Sequence, residues 1–167
     1  MKLPPEVIAS LRTMPEQVEA LLRLVPEGRL DWMPDSWEAV PGEMFSVLGQ
    51  VCHLRDIEVE GYHLRIRRML SETKPDLESL DSYALAESGD YHAADAGGAM
   101  AAFRAARQIT LEHLAGLSAA QLDRPGTFAE YGPITLRGLI HLLASHDAQH
   151  LACLHWLLAK MSGATIR

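Results

Sequence analysis

Apolar residues recur at helical spacing in four separate segments of this 167-residue chain, and almost nowhere do they alternate as they would in a half-buried strand. That pattern constrains the fold to an all-α class. The first segment runs from about Pro5 to Val25, with Ile8, Leu11, Val18, Leu22 and Val25 inward and Pro15 expected to kink it or split off its first turn. A connector containing Trp32, Pro34, Trp37 and Pro41 leads to a long second helix, about Gly42 to Ser71, striped by Phe45, Leu48, Cys52, Val59, Tyr62, Ile66 and Met69. Residues 72–94 show no periodicity and read as a long surface crossing. A crossing of that length lets the second and third helices run parallel in a four-helix bundle, which a short loop would forbid. The third helix spans about Asp95 to Leu117. The fourth spans about Thr135 to Met161, with Thr135 as its N-cap.

A hydrophobic share of 48% over this length suits a single domain, residues 1–167, with one core. The net charge is -7 and basic residues form no run, which argues against nucleic acid as a partner. No apolar stretch approaches the ~20 residues of a membrane span, and the start Met1-Lys2-Leu3-Pro4-Pro5-Glu6 lacks the apolar run of a signal peptide. The expected location is the cytoplasm. The two cysteines, Cys52 and Cys153, lie within helical patterns and read as reduced thiols.

Chemistry enters on the last helix. His146 and His150 continue the apolar stripe of Leu136, Leu139, Leu143, Cys153, Leu157 and Met161. Side chains four apart on a helix stack on one face, so both rings can reach one cation. The spacing leaves two readings open, a shared metal ion or two core histidines each with its own hydrogen-bond partner. His53, on a partly apolar face of the second helix, is the candidate third ligand. Three imidazoles from two helices leave a coordination position open, as catalytic sites do.

Trp37, the run His53-Leu54-Arg55-Asp56, the helix entry Gly132-Pro133-Ile134-Thr135-Leu136, and the segment from His141 to His150 centred on His146-Asp147-Ala148-Gln149-His150 together resemble the DinB-like (YfiT-like) superfamily. The resemblance covers most of the chain. It implies a four-helix bundle with a long crossover between helices 2 and 3, commonly dimeric, holding a divalent metal on His53, His146 and His150. Zinc is the favoured ion, with nickel, iron or manganese as alternatives. It further implies a thiol-dependent transferase or isomerase that uses a low-molecular-weight thiol and presents a metal-bound thiolate to a small electrophile. The alternatives are a hydrolase using metal-bound water and a non-catalytic metal-binding dimer. Cys153 departs from the glutamine usual at that position of the family. At i, i+4, i+7 with His146 and His150 it is either a fourth ligand or a small packing residue below the metal.

Other residues carry weaker signals. Asp56, ahead of Glu58 and Glu60, is the candidate acceptor for the outer proton of a ligand histidine. Asp147 gives only a poor match to the H-E-x-x-H pattern of zinc proteases, because aspartate is short of the required glutamate and no third ligand follows. His141 and His155 point away from the pair, and His63, His92 and His113 show no ligand spacing. The acidic residues of the second helix, Glu58 among them, and Arg65, Arg67 and Arg68 read as a solvated face, although an arginine near the metal could hold a carboxylate of substrate or cofactor.

Overall fold

The computed structural model describes residues 2–163. Its helices are α1 (Pro5–Leu22), α2 (Val47–Asp56), α3 (His63–Ser71), α4 (Ser82–Ser88), α5 (Ala96–Leu114), α6 (Ala119–Leu122) and α7 (Leu136–Gly163). A π-helical segment, Ile57–Tyr62, joins α2 to α3, so the two form one long helix. That helix, α1, α5 and α7 make the four-helix bundle: α2 packs on α5 and α7, and α1 packs on the same two.

Local chemistry sets the boundaries. Ser46 accepts from the Gly49 amide and starts α2 five residues later than the apolar stripe predicts. Asp95 caps α5 through the Gly98 amide, and Thr135 caps α7 through the Gly138 amide, as expected. Pro15 does not split α1, which runs unbroken with Pro15 buried inside it. Proline cannot donate to the carbonyl four residues back, that of Leu11, and Arg107 Nη1 donates to that oxygen instead at 2.9 Å.

The crossing between α3 and α5 is structured where the sequence predicts open loop. Asp81 caps α4 through the Tyr83 and Ala84 amides, and a three-stranded sheet covers one part of the bundle. Strand β1 (Asp76–Leu77) pairs in parallel with β2 (Pro125–Phe128), which pairs antiparallel with β3 (Gly132–Thr135). Strands of two to four residues are too short for an alternating pattern to show.

The core falls into two apolar clusters. One gathers Met14, Val18, Val51, Leu54, Phe103, Leu154 and Leu157, the other Leu11, Ile57, Ile66, Met69, Leu114, Leu139 and Leu143. Along three of the four long helices the change from one cluster to the other coincides with buried polar residues: His53 and Glu58, Arg107 and Thr110, Asp147 and His150. Six fully buried aliphatic residues on α7 (Leu136, Leu139, Ile140, Leu143, Leu154, Leu157) contribute roughly 1.5–3 kcal/mol each, which outweighs the cost of a polar belt between them.

Candidate metal centre

His53 on α2 and His146 and His150 on α7 meet inside the polar belt. The Nε2 atoms of His53 and His146 are 3.2 Å apart, and those of His150 and His146 are 3.0 Å apart. Glu43, in the segment leading to α2, brings its carboxylate to 3.8 Å from His53 Nε2 and 3.7 Å from His150 Nε2. The ligating atoms of all four residues lie within 4.8 Å of one another.

This donor set fits a divalent cation. Nitrogens on a tetrahedral zinc ion at ~2.0–2.1 Å would be about 3.3–3.4 Å apart, close to the spacing here. His150 donates from Nδ1 to Gln50 Oε1, which leaves its Nε2 as a lone pair directed at the cluster. One Glu43 carboxylate oxygen is buried with no hydrogen-bond partner, as is His53 Nδ1. Burial pushes His53 down to about 4 and His146 to about 3, the charges of His53, Arg107 and Arg65 adding to the push on His146. Burial lowers His150 too. Neutral imidazoles crowding a carboxylate offer lone pairs in excess, the arrangement a metal ion satisfies.

The surrounding contacts differ from the sequence reading at several positions. Asp56, expected to hold a ligand histidine's proton, instead accepts from Arg55 and from the Tyr91 hydroxyl at 2.7 Å. Gln50 fills that role for His150, anchored by its own amide nitrogen, which donates to the Glu43 carbonyl at 3.0 Å. Cys153 is buried but is not among the converging atoms. Burial, then the Glu43 charge, pushes its thiol up to about 11. A Cβ at Gly42 would come within 3.0 Å of Cys153 Sγ and 2.6 Å of Gln149 Nε2, so the glycine lets the Glu43 segment lie close on α7. Glu43 carries no signal of its own in the sequence, which places it in the first turn of the second helix, whereas in the structure it lies ahead of α2.

A second buried constellation adjoins the first. Arg107 on α5 donates to both oxygens of Glu58, to both of Asp147, and to the Leu11 carbonyl, using all five of its N–H groups. Thr110 adds a short hydrogen bond to Glu58. Asp147 thus belongs to this network and not to a protease motif, and the network fixes the α7 turn that carries His146. Glu58, expected on a solvated face, is buried, while Val59, expected in the core stripe, is 42% exposed. The π segment is the reason, because its wider turn changes the angular register of the stripe. Of the remaining histidines, His141 and His155 are exposed, His63 bonds the Ala106 carbonyl, and His92 pairs with Asp31. Trp37 stacks on Trp156 with ring centres 5.6 Å apart.

A family model described as the DinB superfamily matches residues 10–154. The chain belongs to the DinB superfamily. Among solved structures it is similar to YfiT from Bacillus subtilis, described as "a probable metal-dependent hydrolase with an unusual four-helix bundle topology". The TM-score is 0.81 with 23% identity, over 95% of this chain and 87% of the other. At that identity the likeness concerns the fold of this DinB-superfamily chain. No curated protein matches it. No described helix is long and apolar enough to cross a membrane.

Two predictions arise here. Gln50→Leu removes the acceptor that fixes the His150 tautomer and is expected to weaken zinc binding roughly 10–100-fold. Competition with a chromophoric chelator measures it, and unchanged affinity would dismiss the role given to Gln50. The second concerns pH. The unfolded chain takes up protons on these histidines below about 6.5, whereas folded His53 resists until about 4. Their contribution to stability is therefore full above pH ~6.5 and lost on acidification, at about 1.4 kcal/mol per pH unit per histidine. Asp147, pushed up to about 6 by burial against the pull of Arg107, acts in the opposite direction, one carboxyl against three imidazoles. The urea midpoint of metal-free protein should fall between pH 7 and pH 5; a flat profile contradicts this.

Proposed function

We propose that this chain is a divalent-metal-dependent enzyme acting on a small electrophilic molecule, with His53, His146 and His150 as metal ligands. The observation that carries the reading is the convergence of three neutral Nε2 atoms with the Glu43 carboxylate beside an open cleft. When bound, the metal supplies Lewis acidity that lowers the pKa of a thiol or water. The chain's own groups do the rest. Gln50 holds the His150 tautomer, and the Arg107 network anchors the turn bearing His146. The cleft, about 280 Å³ and lined by Tyr62, Phe128 and Leu142, has room for a small substrate. Zinc suits imidazole ligands, as do nickel and iron.

The nucleophile in this proposal is an external low-molecular-weight thiol, since the buried Cys153 thiol is not among the converging atoms. Glu43 supports a second reading, hydrolysis, because a carboxylate beside the metal ligands is placed to accept a proton from water. A homodimer in the cytoplasm completes the proposal.

Cobalt substitution separates these readings. The cobalt protein is expected to lack an intense near-ultraviolet sulfur-to-metal band and to gain one on addition of a small thiol, in wild type and Cys153→Ser alike. A band present without added thiol and lost in Cys153→Ser would make Cys153 a ligand. No band with any bacterial thiol, together with ester or amide hydrolysis lost in Glu43→Gln, would favour water.

A further inference from the structure

Arg65 stands out among the charged groups that the metal reading leaves unused. It lies on α3 and is only 6% exposed. Its Nε and Nη2 both donate to one backbone carbonyl, that of Glu78, at 3.2 and 2.8 Å. Its guanidinium carbon lies 4.6 Å from the centre of the Phe128 ring and 5.4 Å from that of Tyr62. No carboxylate among the described residues comes within ion-pair distance. The other deeply buried arginine, Arg107, has two. A buried guanidinium without an anion is an uncompensated charge, and burial pushes its pKa down, with only the phenols of Tyr62 and Tyr131 opposing.

Arg65 also lines the cleft that opens on His53 and His146. The carbonyl of Glu78 occupies one edge of the guanidinium. Nη1 carries no hydrogen bond, so Nη1 and the second N–H of Nη2 present two parallel donors along the remaining edge. Space for that edge depends on Gly61, where a Cβ would fall 2.7 Å from Nη1. The Tyr62 ring contacts both sides of the arrangement, with its centre 6.3 Å from that of His146.

We propose that Arg65 is the anchor for a substrate carboxylate, so that the molecule turned over is a small carboxylic acid with its electrophilic centre a few bonds from the carboxylate. Two parallel N–H donors match the two oxygens of a carboxylate. Glu43 and Glu130 also line the cleft, and one arginine facing two acids favours a monoanion over a phosphate dianion. The assignment rests on the reading of the histidine cluster as the reacting centre.

The test is binding of sodium butyrate, with butyramide and inorganic phosphate as comparisons, to the protein as purified and after removal of metal with EDTA. The readout is the Arg65 Nε–H cross-peak in a nitrogen-15 correlation spectrum, together with the dissociation constant. Butyrate is expected to shift that peak saturably in both forms, butyramide not to, and phosphate to bind more weakly. Arg65→Gln should weaken butyrate about tenfold or more, and Arg65→Lys, which keeps the charge but loses the fork, should weaken it less. If Arg65→Gln does not fold, the wild-type cross-peak decides. Equal binding of butyramide, tighter binding of phosphate, or butyrate binding that needs metal and ignores Arg65→Gln would each overturn the anchor. The last of these would leave the metal reading standing. Arg65-dependent butyrate binding by a protein that binds no divalent metal would instead uphold the anchor and defeat the metal reading.

Discussion

Alanine in place of His150 is expected to reduce bound zinc from about one ion per chain to under about a tenth of one at micromolar metal. Loss of a group that merely orients a ligand costs 10–100-fold in affinity, and loss of the ligand itself costs more. His53→Ala and His146→Ala should behave alike, because their Nε2 atoms converge on the same point. Exposed His141 provides the control, and His141→Ala should leave stoichiometry unchanged. Glu43→Gln should show a smaller loss, since its oxygens lie farther from the nitrogens than the nitrogens do from each other. Elemental analysis of untagged protein checks all five. Stoichiometric zinc in His150→Ala would sink the assignment.

How much of this site was legible in the chain depends on how local its cause is. His146 and His150 could be read because both sit on one helix, where a spacing of four fixes a shared face. His53 could be picked out as a candidate from its partly apolar helix face, but its pairing with the last helix leaned on the family resemblance, since nothing in its own helix says which residue of another helix it meets. Glu43 was invisible for a related reason: it lies before the capped start of α2, in a segment whose path is set by Gly42 packing against Cys153 and Gln149. The four helices and the long crossover followed from periodicity. The short sheet did not, because its strands are only two to four residues long and one of its two pairings, Asp76 with Thr127, joins segments far apart in sequence.

The π segment produced the most consequential misreading. A stripe extrapolated at 3.6 residues per turn from Cys52 arrives at Val59, and that residue is exposed while Glu58 turns inward. An acid next to apolar residues in such a stripe carries no mark of burial, because its partner, Arg107, is 49 residues away. Arg107 itself reads as an ordinary polar position in an alanine-rich helix. Only the folded arrangement shows that one guanidinium closes the circuit among α1, the π segment, α5 and α7.

Arg107→Met is therefore expected to destabilise the protein by about 3–5 kcal/mol, the cost typical of removing one partner from a buried ion pair. Methionine matches the aliphatic stem but leaves Glu58 and Asp147 buried with no countercharge and the Leu11 carbonyl with no donor. A sum of lost contacts would predict the same sign but miss the source of the penalty, which is the two carboxylates left behind. The triple variant Arg107→Met, Glu58→Gln, Asp147→Asn separates the two accounts. It loses the same hydrogen bonds to arginine yet carries no uncompensated charge, so it should recover part of the stability lost in Arg107→Met. Denaturant unfolding at pH 7, on metal-free protein so that metal linkage does not enter, measures both variants. If the triple variant is no more stable than Arg107→Met, charge burial is not the source. Because Asp147 follows His146, Arg107→Met should also weaken zinc binding in whatever fraction stays folded, whereas a network confined to stability would leave that affinity untouched.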